Sequence, residues 1–115
     1  MSERTISLAR DFSRNPGPRL KDQGPNSGET FRKVLIRALS QYDRITVDLD
    51  GTNGIGSSFL DEAFGGLVRS EGMSKQDVKQ KIRIVSKLDS SYLSTVNDAI
   101  DSAEPLTTRA LAHAS

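Results

Sequence analysis

The alternation of apolar and polar residues predicts one strand, one loop and one helix in the middle of the chain. Residues 45–50 (ITVDLD) alternate β-branched and apolar residues with polar ones, which is typical of a strand. Residues 51–56 (GTNGIG) contain three glycines and predict a loop. Over residues 57–68 apolar side chains recur at helical spacing, and Gly72 is a plausible stop. We expect the two adjacent glycines in this helix to mark close packing against a sheet.

The same patterns predict the other elements. Residues 5–12 and 81–87 read as strands, and residues 19–21 as a candidate short edge strand in a hairpin with the first. A long helix begins near Asn26 or Ser27, with Asn26 and Glu29 resembling a capping box. Further helices are predicted at residues 74–80, with a serine cap, and from residue 89 to about residue 103. The helix that begins near Asn26 or Ser27 places Arg32, Lys33 and Arg37 mainly on its polar face.

Strands separated by helices of this length predict a single α/β domain. Their connections should be right-handed crossovers in a mixed, mostly parallel sheet of about four strands, with three to four helices. We expect the domain to occupy residues 1–103. Residues 104–115 are small and polar and are expected to form a flexible C-terminal tail.

Composition excludes several kinds of chemistry. The chain has no cysteine, which excludes disulfides, thiolate metal sites and a cysteine nucleophile. His113 is the lone histidine and lies in the polar tail, which argues against histidine-based zinc sites and serine-histidine-aspartate triads. We therefore expect no metal and no cofactor.

Charge and hydropathy give the expected surroundings of the protein. The net charge of +1 comes from both signs mixed along the chain, so nothing indicates binding to nucleic acid or to an anionic membrane. No apolar run approaches transmembrane length, and the N-terminus lacks a signal-peptide core. These features predict a soluble cytoplasmic protein, and they leave its oligomeric state open.

The glycine-rich loop and the start of the helix that follows it carry the candidate chemistry. We expect Ser57 and Ser58 to cap that helix, which would put two hydroxyls and free backbone N–H groups at one helix N-terminus. Such a place accommodates a phosphate group. A nucleotide-binding P-loop is disfavoured, because Ser57 stands where that motif needs a lysine.

One interpretation of the loop is enzymatic. Residues 48–52 (DLDGT) resemble the first motif of haloacid-dehalogenase-type phosphatases, DxDGT. The resemblance implies Asp48 as nucleophile, Asp50 as general acid/base, and a magnesium ion between them. Lys87 follows a predicted strand, as that family requires, but most of the later acidic residues lie on a predicted helix. A magnesium-dependent phosphatase is therefore one alternative.

A closer resemblance extends over much of the chain, roughly residues 5–103. GIGSSFLDEAFGGLVR, at residues 54–69, is similar to the STAS-like domain family, whose function is not established. ISLARDFS (residues 6–13), PNSGETFR (residues 25–32), VDLDG (residues 47–51) and KIRIVS (residues 81–86) match the family as well.

The broader STAS group includes bacterial anti-sigma factor antagonists, which implies a regulatory function. Those proteins carry an Asp-Ser-Ser-Gly motif in which one serine is phosphorylated by a serine kinase with a histidine-kinase-type ATPase fold. The resemblance places that serine at Ser58, with Ser57 as its neighbour. Gly56 stands where the group has Asp, and Phe59 where it has Gly.

The resemblance thus predicts a non-enzymatic protein-interaction domain whose partner is expelled by a phosphate on Ser58. The expected partner is a histidine-kinase-type ATPase or another regulatory protein. An inhibitory protein-binding effector from a mobile element is a further alternative. The residues expected to contact the partner are Asp50, Gly54, Gly56, Phe59, Asp61 and Glu62.

Overall fold

A three-stranded parallel sheet underlies the fold. The computed structural model describes residues 2–105. Its strands lie in the order β1-β2-β3, and their bounds are Glu3–Ser7, Arg44–Asp48 and Ile82–Val85. Both neighbouring pairs are parallel, with Thr46 of the central strand opposite Thr5 and Arg83. The α/β class is confirmed, but residues 2–105 form three strands rather than about four, and the sheet is not mixed.

Residues 2–105 contain five α-helical segments, two of which belong to one continuous helix in the middle of the chain. They are α1 (Gly28–Leu39), α2 (Ser57–Leu60), α3 (Gly66–Arg69), α4 (Lys75–Lys81) and α5 (Ser91–Ser102). A π-helical stretch, Asp61–Gly65, joins α2 to α3 without a break. The long helix α2–α3, residues 57–69, therefore agrees with the sequence pattern. The helix count exceeds the expected three to four because the π-helical stretch divides this helix in two.

The core lies on one side of the sheet. Along β2, Ile45 and Val47 are buried, whereas Thr46 and Asp48 between them are only half-buried. Right-handed crossovers between parallel strands in this order place the connecting helices on one face. The opposite face carries exposed polar side chains such as Thr5 and Arg83.

The N-terminal strand is shorter than its sequence pattern suggests. It ends at Ser7, and residues Leu8–Phe12 form a single wide turn of π-helix. The Ser7 hydroxyl accepts a hydrogen bond from the N–H of Arg10 (3.1 Å), and the Ser7 N–H donates to Asp11 (2.8 Å). These two bonds close the turn, so the strand predicted to reach Phe12 is wrong beyond Ser7.

The expected hairpin is also wrong. Residues 19–21 form no strand, and a short 3-10 turn, Lys21–Gln23, lies there instead. The glutamate expected to complete a capping box, Glu29, accepts a hydrogen bond from the N–H of Lys21 (2.9 Å). This bond holds the proline-rich loop against the start of α1.

The caps of α1 and α4 are both serines. Ser27 accepts a hydrogen bond from the N–H of Thr30 at 3.1 Å, so the cap of α1 is Ser27 and not Asn26. Asn26 has a φ of 57°, a left-handed conformation that Asn tolerates better than most residues. The predicted cap of α4 is confirmed, because Ser74 accepts a hydrogen bond from the N–H of Asp77 at 3.0 Å.

The two adjacent glycines of the long helix allow close packing against other helices. A Cβ atom on Gly65 would lie 2.9 Å from the carbonyl oxygen of Ala99 in α5. One on Gly66 would lie 2.7 Å from Nη1 of Arg32 in α1. The close approach that we expected is real, but it is made to α5 and α1 rather than to the sheet.

The ends of the chain are described only in part. Residues 106–115, which hold most of the expected tail and His113, lie outside the described residues. Within residues 2–105, no helix has the length and apolar character needed to cross a bilayer.

Candidate functional site

The loop between β2 and α2 crosses the carboxyl edge of the sheet and is fixed by its own polar groups. The Asp48 carboxylate accepts a hydrogen bond from the N–H of Asp50 at 2.9 Å. The N–H of Leu49 donates to the carbonyl oxygen of Val85 at 2.8 Å, which holds the loop to β3. Gly51 and Gly54 have φ angles of 94° and 134°, which favour glycine. Asp48 therefore shapes the turn.

Asp50 joins this loop to the one that follows β3. One carboxylate oxygen accepts from the N–H of Leu88 at 2.9 Å and the other from the N–H of Lys87 at 3.0 Å. These two hydrogen bonds hold the pKa of Asp50 below its ordinary value of 3.8. Both carboxylate oxygens thus serve as a clamp between two loops.

The two aspartates do not form part of a larger acidic cluster. Among residues 2–105, no group of three or more His, Cys, Asp or Glu side chains is placed to hold a metal ion. The clamp also differs from the general acid/base role that the phosphatase resemblance implies for Asp50.

Ser57 and Ser58 begin α2 but do not cap it. The residue in the cap position is Gly56, which has no side chain and an extended backbone. Both serines are already helical, and a capping hydroxyl must come from the residue before the helix. The prediction that the serine pair caps the helix is wrong. Both side chains are exposed, and no other side chain of the described residues holds either hydroxyl.

The two serines open onto a polar groove between the start of α2 and the side of α5. The groove has a volume of about 280 Å³. Its lining combines one cation with two carboxylates and several hydroxyls: Arg19, Ser57, Ser58, Asp61, Thr95, Asp98 and Ser102, with Ala99 as its apolar member. The groove thus brings both serine hydroxyls close to charged side chains of either sign.

Phe59 lies inside the protein. Its side chain is 0% exposed, and its ring centroid is 5.9 Å from that of Phe31 and 6.2 Å from that of Phe12. The side chain therefore offers no surface to a partner, contrary to the expected contact. Gly54 and Gly56, by contrast, are exposed on the loop.

An apolar side chain does lie exposed at the same end of the molecule. Leu88 is 83% exposed on the loop that Asp50 clamps. It borders a cleft of about 250 Å³ together with Leu49, Asp50, Gly51, Thr52, Asn53, Gly54, Asp89 and Tyr92. The Tyr92 hydroxyl accepts a hydrogen bond from the N–H of Ile55 at 3.1 Å, which ties the loop to α5. The sequence pattern did not identify Leu88. The only indication was that Leu88 is an apolar residue in an otherwise polar loop.

A network of ion pairs lies behind the serine groove. Glu62 is 8% exposed and forms an ion pair with Arg32, which is 5% exposed. Next to it, Asp61 pairs with Arg19 and, at 3.3 Å, with Arg69. Arg19 also lies 3.5 Å from Glu62. Asp61 borders the groove, whereas Glu62 faces inward and is buried.

Glu71 extends the network to the far end of the long helix. It accepts hydrogen bonds from Arg32 and Lys33, each at 2.8 Å. Burial would raise the pKa of Glu71, but the hydrogen bonds from Lys33 and Arg32 outweigh it and lower that pKa. Sequence reasoning assigned Arg32 to the polar face of α1. Its position four residues after the buried Gly28 and three before Leu35 was the missed signal.

The chain matches a known protein family over more than half of its length. A family model described as a STAS-like domain of unknown function (DUF4325) matches residues 27–91, more than half of the chain. The matched region runs from the cap of α1 to the first residue of α5. It includes the β2–α2 loop, both serines and the carboxylates of the ion-pair network. No curated protein and no solved structure shows significant similarity to the chain.

Proposed function

The chain belongs to the family of STAS-like domains of unknown function, and from this premise we propose that it is a non-enzymatic protein-interaction domain with a regulatory role. We propose further that phosphorylation of Ser58, or of the neighbouring Ser57, controls the interaction. The observation that carries the proposal is that both hydroxyls are exposed at the start of a long helix and make no capping bond.

A serine with no structural task can be modified without disturbing the fold. A kinase can reach the Ser58 hydroxyl, and a phosphate there breaks no side-chain hydrogen bond that the helix needs. The helix N-terminus tolerates negative charge, because its first N–H groups have no partners within the helix. The domain therefore stays folded in both states, and only its surface changes.

A phosphate on Ser58 would interact with the charged side chains that line the groove. A phosphate adds about −1.5 to −2 charges close to Asp61 and Asp98, which repel it, and to Arg19, which attracts it. Arg19 already pairs with Asp61, so the phosphate competes for that guanidinium. A partner packed over this surface would bury the new charge and be expelled.

The proposed partner surface consists of the exposed parts of this end of the molecule. They are the loop around Gly54 and Gly56, the two serines, Asp61, and the exposed Leu88. Leu88 supplies the apolar contact that Phe59, being buried, cannot supply. Asp50 contributes by fixing the backbone of Lys87 and Leu88. By resemblance to the broader group, the proposed partner is a serine kinase with a histidine-kinase-type ATPase fold.

The same geometry favours binding over phosphatase chemistry. Both oxygens of Asp50 are engaged by backbone N–H groups, and the carboxylate of Asp48 holds its own turn. Replacing Asp48 by Asn separates the two functions. A phosphatase would lose its magnesium-dependent turnover of a phosphate ester, whereas a binding domain would keep its affinity for the partner.

The first test is phosphosite analysis of the protein isolated from its native cell. Intact mass is measured with and without phosphatase treatment, and the modified residue is then located. We expect one removable phosphate on Ser58 or Ser57. Unmodified serines under all growth conditions tested would contradict the switch.

The second test uses a kinase partner identified through the modification. Ser58→Asp should weaken binding by about tenfold or more, equivalent to ~1.4 kcal/mol, as measured by titration calorimetry. Ser58→Ala should change the affinity by less than about twofold, a few tenths of a kcal/mol. Ser94→Asp, an exposed position on α5 outside the groove, is the matched charge control. Equal affinities for all three variants would rule the switch out.

A further inference from the structure

The outer edge of β3 has main-chain groups that face away from the sheet. Within residues 2–105, β3 has β2 as its single strand neighbour. The bond from the N–H of Leu49 to the oxygen of Val85 shows that Val85 points its main chain toward β2. Because the direction alternates along a parallel strand, Arg83 also points toward β2, and the N–H and C=O of Ile84 face the open edge.

An apolar groove runs beside that edge. Its volume is about 360 Å³, and it is lined by Ile82, Ile84, Leu93 and Ile100, with Lys79 and Asn97 as its polar members. Helix α5 packs on the long helix, where the oxygen of Ala99 approaches Gly65, and its C-terminal end reaches α4 through the Lys79–Asp101 ion pair. It therefore stands away from β3 and leaves Ile84 and Leu93 only half-buried.

The side chains of β3 alternate between this groove and the open face of the sheet. Ile82 and Ile84 face the groove, whereas Arg83 lies on the other face and is exposed. Lys81, just before the strand, is exposed too. Neither cation makes an ion pair with any other described residue. The edge is thus apolar on one side and positively charged on the other.

We propose that the β3 edge binds an extended segment of a partner protein in which apolar residues alternate with acidic ones. Added as a further strand, such a segment would hydrogen-bond to the main chain of Ile84. Its apolar side chains would fill the groove beside Ile82, Ile84 and Leu93. Its acidic side chains would lie beside Arg83, because an added strand follows the same alternation.

The charge of the edge selects this occupant over a second copy of the chain. Pairing two β3 edges would bring Arg83 and Lys81 of one copy close to those of the other, and like charges across neighbouring strands are destabilising. An acidic segment removes that repulsion. The proposal concerns the side of the sheet and does not depend on the serine switch at its carboxyl edge.

The test uses the full-length chain and a defined probe, the fluorescently labelled peptide Glu-Val-Glu-Ile-Glu-Val-Glu. Fluorescence anisotropy should show saturable binding, and the same peptide with Lys in place of Glu should not bind. Amide exchange followed by NMR supplies the location. The Ile84 amide should exchange fast in the free protein and at least about tenfold more slowly with peptide. The Arg83 and Val85 amides, already bonded to β2, should be protected in both states.

Charge reversal tests the predicted complementarity. Arg83→Glu should weaken peptide binding by about tenfold or more at low salt, whereas Arg37→Glu, the same change at an exposed position on α1, should leave it within about twofold. Ile84→Lys, which fills the groove with a charge, should abolish binding. If Ile84→Lys fails to fold, the comparison of Arg83→Glu with Arg37→Glu still tests the proposal.

Three results would overturn the proposal. They are no saturable binding of the acidic peptide, equal affinity for Arg83→Glu and Arg37→Glu, or a slowly exchanging Ile84 amide in the free chain. If that protection depends on protein concentration, a second copy occupies the edge. If it does not, residues 106–115 occupy it.

Discussion

At the scale of single residues, several side chains have a role in the structure that differs from the one the sequence suggests. Asp48 and Asp50 look reactive in the sequence, yet they hold backbone N–H groups. Phe59 looks like a surface anchor, yet it is buried among aromatic rings. Ser57 and Ser58 look like structural caps, yet their side chains make no capping bond. These roles depend on which atoms meet in space, so residue type and spacing alone do not decide them.

The clamp made by Asp50 predicts a pH dependence. The lowered pKa of Asp50 means that its stabilisation is present in full above the ordinary pKa of 3.8 and is lost as the pH falls through the folded-state value. At pH 7, Asp50→Asn should lower the free energy of unfolding and speed exchange of the Lys87 and Leu88 amides. That deficit should shrink as the pH falls below about 3.8.

Urea unfolding of both proteins between pH 7 and pH 3 measures the effect. Asp98→Asn is the control, because its exposed carboxylate accepts no hydrogen bond from the described residues. A deficit for Asp50→Asn that stays constant over this pH range would show that the carboxylate does not act through its charge.

The burial of Phe59 predicts a loss of stability. Phe59→Ala removes a ring packed against Phe12 and Phe31, so the free energy of unfolding should fall by about 3–5 kcal/mol. Leu88→Ala at an exposed site should change it by less than about 0.5 kcal/mol. Chemical denaturation compares the two. If Phe59→Ala kept full stability, the aromatic packing described above would be wrong.

At the scale of elements, periodicity predicted most of the fold because long regular patterns come from packing on a core. Helix α1, the long helix, α5 and the last two strands all lie where the sequence placed them. The first strand was extended too far because Leu8 and Phe12 continue its alternation. The bonds that end it, between Ser7 and Asp11 and between Arg10 and Ser7, are local and leave no mark on the hydrophobic pattern.

Helix caps also cannot be located from periodicity alone. They give a prediction that compares a capping serine with a serine that caps nothing. Ser74 accepts the N–H of Asp77, so Ser74→Ala should lower the free energy of unfolding by about 1 kcal/mol. Ser58→Ala should change it by less than about 0.5 kcal/mol, because that hydroxyl caps nothing. Denaturant titrations of the two variants make the comparison. A loss of about 1 kcal/mol for Ser58→Ala would restore capping as the role of Ser58 and remove the main support for the switch.

At the scale of the whole molecule, the ion-pair network joins three parts that are far apart in the sequence. Arg19 comes from the proline-rich loop and Arg32 from α1, and both meet Glu62 on the long helix. No pattern in the sequence relates these positions, because the partners come together only when the helices have packed. The candidate site is therefore less predictable than the fold. Sequence placed the serines at the right helix end but could not show the groove, Leu88 or the network behind them.

Burial makes Glu62 the residue on which the network depends. The Arg32 side chain is 6% exposed, and Glu62→Gln would leave its guanidinium short of one charged partner inside the protein. Because Glu71 still pairs with Arg32 and the Gln amide oxygen can still accept a hydrogen bond, the free energy of unfolding should fall by about 1.5–3 kcal/mol. Asp101→Asn breaks the exposed pair with Lys79 and should cost less than about 1 kcal/mol.

Urea unfolding at pH 7 in low and high salt shows whether a loss of unfolding free energy comes from an exposed ion pair or from a buried one. Salt should weaken the Lys79–Asp101 pair and leave the buried network nearly unchanged, because solvent ions screen exposed charges best. If Glu62→Gln cost no more than Asp101→Asn, the network would not hold the loop, α1 and the long helix together. A large loss instead means that the buried Arg32–Glu62 pair holds α1 to the long helix, and so supports the helix that begins with Ser57 and Ser58.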